Sequence, residues 1–331
     1  MATKPPVEVP QGAIRLNTDS QKLEFFAQDQ WWEMATEPAS AGNSGGTRGL
    51  FYRGYAAPTN SNVIDYITMS TAGNAVDFGD GLTDARQAGA TGSNTRAVVV
   101  GRDSANNTIE YVTFASAGNA ADFGDSTAAR AGAPSAVSNG TRGLFAGNDG
   151  PISNIIDYVT IAQTGNATDF GDLSVTHSDG GRCQSSTRGI VAGGRSSDPY
   201  TNVIDYITMA STGNAADFGD LSSARNEIAS DSNTVRGIFA GGSTGSNVNT
   251  MEFITISTLG NAQDFGDQSA ATSSGRGSCS SIRFVFALGN SNNETIEFVE
   301  LATRGNSINF GDLTVGRTQA AGVSNGHGGL G

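Results

Sequence analysis

The sequence predicts an all-β fold, a six-bladed β-propeller preceded by a short β-meander. Three observations predict it. The tetrad Asp-Phe-Gly-Asp recurs, with its phenylalanines at Phe78, Phe123, Phe170, Phe218 and Phe265, and returns as Asn-Phe-Gly-Asp around Phe310. Each copy carries several short runs rich in Ile, Val, Tyr, Phe and Thr, bounded by Gly, Asn, Asp and Ser, which is strand chemistry. No segment keeps a 3.6-residue apolar period. A period of about 47 residues with four strands per copy is that of a propeller blade, which buries its faces only against its neighbours.

Each strand has its own signal. The innermost is a run of small residues, such as Ala229, Ser230 and Ser232, suited to crowding at an axis. The second opens with an arginine, at Arg48, Arg96, Arg142, Arg188, Arg236 and Arg283, followed by apolar residues. The third pairs an acid with an aromatic: Asp65-Tyr66, Glu110-Tyr111, Asp157-Tyr158, Asp205-Tyr206, Glu252-Phe253 and Glu297-Phe298. The fourth ends in Phe-Gly-Asp, and its Phe, with the third-strand aromatic, is expected to fill the space between blades. Gly-Asn, from Gly73-Asn74 to Gly305-Asn306, reads as a tight hairpin turn between the third and fourth strands. A looser arginine, at Arg86, Arg130, Arg225 and Arg317, follows the tetrad and is replaced by His177 and Thr272 in the other copies.

The repeat begins at Thr47-Arg48 inside a blade, so the first blade lacks its innermost strand. The stretch from Arg317 to Asn325 supplies a matching small-residue strand, which is expected to close the ring and remove its open edge. The domains are then residues 1–46, an attachment segment; 47–326, the propeller; and 327–331, a tail. The motif order resembles the kelch family, in which an arginine opens the innermost strand, a strand ends in Gly-Gly, and a tyrosine and a closing aromatic follow. Gly193-Gly194 and Gly241-Gly242 match the diglycine, while the closing aromatic is Phe throughout. The resemblance implies the propeller fold over Thr47 to Asn325 and says little of activity.

Residues 1–46 differ in composition: they hold both lysines, Lys4 and Lys22, and both tryptophans, Trp31 and Trp32. Ile14 and Leu16 alternate, as do Leu23 and Phe25, around turns at Asn17–Gln21 and Asp29-Gln30. The segment Gly12-Ala-Ile-Arg-Leu-Asn-Thr, with Lys22-Leu-Glu-Phe-Phe and Trp31-Trp32, resembles a module of bacteriophage tail fibres and other phage structural proteins. The Gly/Asn/Ser-rich repeat is similar to virion proteins of phages infecting marine cyanobacteria. These resemblances imply a tail- or fibre-associated virion protein, made in the host cytoplasm and oligomeric in the particle. A meander this small holds no core of its own, so Phe25, Phe26, Trp31 and Trp32 are expected to bury against other virion proteins or another subunit.

Composition excludes several classes. With 19 Lys+Arg against 32 Asp+Glu, a net charge of −13, the chain has no basic run to neutralise phosphates, so no nucleic-acid partner is expected. No apolar run reaches the length of a membrane-spanning helix. Cys183 and Cys279 fit neither a disulfide framework nor a zinc set. Asp-Phe-Gly occurs without the other kinase motifs and reads as scaffold, with its Asp capping a turn or pairing with a repeat arginine. Gly79-Asp80-Gly81 and Asn148-Asp149-Gly150 read as turns rather than calcium loops. His177 and His327 show no nucleophile or metal partner in the sequence. No catalytic residue, metal or cofactor is therefore expected.

The loops after the second strand break the repeat. Variable loops on a rigid scaffold are where recognition resides, and Tyr55 and Tyr200 can stack on sugars while Arg102 and Arg195 can reach carboxylates. These four residues are the candidates for binding a host-surface glycan or envelope protein. The alternatives are a propeller enzyme acting on host glycans and a capsid-decorating protein.

Overall fold

The computed structural model describes residues 10, 12–17, 22–27, 30–33, 47–102, 104, 106–196, 199–289 and 293–330. It divides into two units, Met1–Ser44 and Gly45–Gly331. The first contains a three-stranded antiparallel sheet of Ile14–Asn17, Lys22–Ala27 and Gln30–Glu33 in chain order. The turn residues 18–21 and 28–29 lie outside the described residues.

The second unit is a ring of six four-stranded antiparallel sheets. Blade one consists, from the axis outward, of Ala321–Ser324, Arg48–Ala56, Thr59–Thr68 and Val76–Ala85. Blades two to six follow in chain order over 89–130, 135–177, 181–220, 229–272 and 276–312. Closure is as the sequence predicts: Ala321 pairs with Tyr52, Val323 with Leu50 and Ser324 with Gly49. Six apolar clusters fill the six blade interfaces. At the interface of blades three and four, for example, Phe170 and Leu173 pack with Val191, Ile207 and Met209. Every tetrad phenylalanine is 2% exposed. Each meets the third-strand aromatic of its own blade edge to face, with centroids 5.7 Å apart for Tyr158 and Phe170, a geometry favoured by the ring quadrupoles.

The recurring motifs are mostly fasteners between blades. The arginine opening each second strand stacks on its own blade's aromatic, with Arg188 5.0 Å from the Tyr206 ring. It then donates to a carbonyl of the next blade, as Arg188 does to Ile256 at 2.9 Å. The acid of the third strand reaches the other way: Asp205 accepts the Ser174 N–H at 2.8 Å and the Ser174 hydroxyl at 2.7 Å from blade three. The equivalent backbone bond is made by Asp65, Glu110, Asp157, Glu252 and Glu297.

Three expectations are corrected here. Gly-Asn is not a hairpin turn. The chain between the third and fourth strands lies along the preceding blade, where Gly118 N–H donates to the Phe78 carbonyl at 2.7 Å and Ala120 N–H to the Asp80 carbonyl at 2.7 Å. Asn119 Oδ1 meanwhile accepts the Asp80 N–H at 3.1 Å. The tetrad glycine is required by this approach: a Cβ on Gly79 would lie 2.5 Å from the Gly118 carbonyl. Second, the fourth strand ends at Phe-Gly-Asp only in blades four and six. In blades one, two, three and five it starts just before the tetrad and runs on, as Thr168–His177 does.

Third, the looser arginine pairs with the third-strand acid of the next blade, not with a tetrad Asp. Arg130 binds Asp157 at 2.7 Å, Arg225 binds Glu252 at 2.6 Å and Arg317 binds Asp65 at 3.1 Å, all buried. Arg86 does not belong to this set. The equivalent position in blade one is Ala85, and Arg53, from the second strand, pairs with Glu110 instead. Arg86 lies 5.0 Å over the Tyr55 ring.

Candidate functional site: the axial mouth and its loops

Because the repeat is spent on holding blades together, a site must lie where the repeat is broken. Two places do so: the axis and the loops around one of its ends.

At one end the axis is closed. Residues 325–330 fold across it, with Gly328–Leu330 in a short 3₁₀ turn. His327 is 2% exposed. Its Nδ1 accepts the Gly329 N–H at 3.1 Å, which leaves Nε2–H to donate to the Gly92 carbonyl at 2.9 Å. Burial holds the His327 imidazole below its ordinary pKa. The segment expected to be a tail is thus a plug.

At the other end the outer strand of each blade crosses to the next innermost strand through a left-handed residue: Gln87, Gly132, Asp179, Glu227, Ser274 and Gln319, with φ between 53° and 76°. Recurrence in all six blades marks this conformation as scaffold. Glu227 N–H donates to the Asp179 carbonyl at 2.6 Å, Ser274 to Glu227 at 3.0 Å, Gln319 to Ser274 at 3.2 Å and Gln87 to Gln319 at 3.0 Å. The side chains on this ring do not repeat. Ser274 donates to Glu227 at 2.7 Å, and Arg276 stands 3.8 Å from Asp179. Burial is the main force raising the Asp179 carboxyl to about 6, against the pull of Arg276 and with a push from Glu227 and Asp149. Below the ring, Arg182 crosses from blade four to the Gly322 carbonyl of blade one. Deeper still, Asp231 accepts from Gln184 Nε2, Ser232 N–H and Cys279 N–H, each at 2.9 Å.

His177, standing where other blades carry arginine, hydrogen-bonds Ser135 Oγ at 2.8 Å and the Gly193 backbone. Nothing in the repeat pattern points to this serine partner. A serine–histidine pair invites a catalytic reading, but burial drives the imidazole down to about 4. Ser135 is 2% exposed and opens only on a cavity of about 20 Å³, too small for a substrate. With His177 turned to Ser135, Asp205 has no guanidinium partner among the described residues, and burial raises its carboxyl above the ordinary value. Cys183 and Cys279 are buried and unlinked, and burial raises both thiols. Among the described residues no three His, Cys, Asp or Glu groups come together as a metal site.

The four loop candidates surround this open end but are spread over three blades. Tyr55 lies on blade one, stacked with Arg86 and paired through its backbone with Thr318. Arg102, on blade two, bridges Ala131. Arg195 and Tyr200 share a loop of blade four, and Arg195 is tied to Asp149 of blade three at 3.0 Å. The geometry brings only these last two together. Sequence reasoning missed Asp179, Glu227, Arg182 and Arg276. Aligning the copies shows the first two as acids where blades one and six carry glutamine.

In the N-terminal sheet the backbone of residue 25 pairs with that of 32, and Phe26 pairs with Trp31. Phe26 and Trp31 share a face with Arg15 and Glu24. There Arg15 lies 4.1 Å over the Trp31 ring and binds Glu24 at 2.8 Å. Ile14 and Leu16 lie on the opposite face and are 63% and 60% exposed.

The propeller retains more apolar surface than its sequence suggests. Among the described residues its exposed large apolar side chains are Val76, Leu82, Val235, Leu259, Ile282, Ile308 and Val315, all on blades five, six and one. Val235 and Ile282 stand where the other blades carry threonine.

The fold and the site thus define a six-bladed β-propeller with a plugged axis and one open, polar mouth. No protein-family model matches the sequence, and no curated protein is similar to it.

Proposed function

We propose that this chain is a structural protein of a bacteriophage particle, tail- or fibre-associated, that attaches through its N-terminal sheet and displays the propeller. One observation carries the attachment reading: a sheet too small for its own core has an apolar face, with Ile14 and Leu16 exposed on it. The phage assignment rests on the resemblance of residues 12–33 to tail-fibre modules and of the repeat to kelch-like virion propellers. The rigid, mutually fastened blades suit a display head, and the non-repeating loops around the open mouth are its recognition surface for a host glycan or envelope protein.

The test is incorporation. A chain lacking residues 1–46 should fold and stay soluble but fail to join the particle or oligomer, and an Ile14→Asp, Leu16→Asp double variant should do the same. Trp31→Ala should have the weaker effect, because that ring is already engaged by Arg15. Incorporation of the truncated chain at normal copy number would overturn the reading and move attachment to the apolar sector of blades five, six and one. A glycan array with the intact chain tests recognition, with Tyr200→Ala expected to abolish any signal.

A further inference from the structure

The axial cavity below the open mouth is lined by side chains from several blades, among them Ser135, Arg182, Ser230 and Arg276, with Pro134 and Ile228 as apolar wall. The two charged groups of this lining are both guanidiniums, and the lining includes no carboxylate. Both are deeply buried, Arg182 at 8% and Arg276 at 9% exposure.

Carboxylates stand near both, Asp231 by Arg182 and Asp179 with Glu227 by Arg276, but none of them lines the cavity. Arg276 donates to the Gly275 carbonyl at 2.8 Å, and its nearest carboxylate contact is the long one to Asp179. Arg182 donates to the Gly322 carbonyl and makes no ion pair among the described residues, while its buried Nε–H has no hydrogen-bond partner. Asp231 attracts it electrostatically, but its carboxylate oxygens are occupied by three N–H donors from other residues. Arg182 differs in this from Arg130, Arg225 and Arg317, each of which meets a carboxylate directly. Ser230 Oγ accepts the Arg182 N–H at 2.7 Å, which leaves its own proton available to the cavity.

A buried guanidinium donor without an acceptor is costly, and the two guanidiniums facing this cavity repel each other. The cavity's volume of about 20 Å³ accommodates one body the size of a water molecule, for which roughly 10–15 Å³ is the minimum. We infer that this cavity is a binding site for one small monovalent anion of halide size, held between Arg182 and Arg276. The Arg182 Nε–H, the Arg276 guanidinium and the Ser230 hydroxyl are its donors. The ion links blade four to blade six across the axis. Because residues 325–330 close the far end, it enters and leaves through the mouth.

Bromide is the probe. Crystals of the full chain soaked in sodium bromide should show an anomalous peak between the two guanidiniums. In solution at constant ionic strength, replacing gluconate by chloride should raise the melting temperature saturably. Arg276→Gln should fold and weaken that response at least tenfold. Arg182→Gln gives the same readout should the first variant prove unstable. Bromide found only on the molecular surface, or wild-type melting indifferent to the exchange, would overturn the site. So would a peak that persists in both variants.

Discussion

Arg130 and Asp157 join blades two and three at 2.7 Å with both side chains fully buried. Removing one partner of such a pair ordinarily costs about 3–5 kcal/mol, because the other charge stays buried alone. The repeat supplies an internal control for which half is worse to orphan. At the next interface Asp205 is buried with no guanidinium partner among the described residues, satisfied by the Ser174 N–H and hydroxyl, and its carboxyl is raised by burial. Asp157 has the same support, from Thr127 N–H at 3.2 Å and Thr127 Oγ1 at 2.5 Å. Arg130→Met should therefore convert one interface into a copy of the other. We expect a loss near the lower bound, about 3 kcal/mol at pH 7. That loss should shrink as the pH falls, because burial raises an unpaired carboxyl at this position as it raises that of Asp205. Asp157→Asn leaves a guanidinium that cannot discharge, so its loss, about 4–5 kcal/mol, should not vary with pH in this way. Urea unfolding of the two variants and the wild type between pH 5 and 8 measures both slopes. Equal losses with parallel pH profiles would refute the argument that the serine or threonine donors can stand in for arginine.

Deleting residues 315–331 should uncover the second strand of blade one and cause aggregation, visible by light scattering; a monomer with unchanged melting temperature would contradict the closure energetics. Phe218→Ala, at 2% exposure, should cost about 3–5 kcal/mol in chemical unfolding, and a loss below about 1 kcal/mol would mean the interface relaxes around the gap. His177 is depressed to about 4 in the folded chain against an unfolded value near 6.5. Its contribution is therefore complete above pH 6.5 and is lost as the pH falls towards 4, by about 3 kcal/mol in all. His177→Gln should lack that component, and superimposable pH profiles for variant and wild type would rule it out.

The blade count, strand order and closing strand were all legible because they depend on features that recur: a tetrad, an acid–aromatic pair and an unfinished first blade. The misreadings came from local chemistry with two outcomes. Gly-Asn suits a tight turn as well as it suits a chain pressed against a neighbouring backbone, and only the position of the next blade decides. Arg86 lies one residue from the structural position, and nothing in the strand shows that Arg53 would take its place. The axial groups were illegible for the opposite reason. Asp179, Arg182, Glu227 and Arg276 each occur once, so periodicity gives them no weight, and their proximity exists only when blades four, five and six face a common axis.

The pairing of Gly49 with Ser324 also sets a clock. On a ribosome adding about 5–20 residues per second, the 239 residues from the end of the first blade's outer strand at Ala85 to Ser324 (324 − 85) take on the order of 12–48 s to appear. Throughout that interval the first blade is a three-stranded sheet with a bare inner edge, while blades two to six can complete themselves as they emerge. The vulnerable period in the life of this ring is therefore its synthesis. A slower ribosome lengthens that exposure in direct proportion, whatever the stability of the finished molecule.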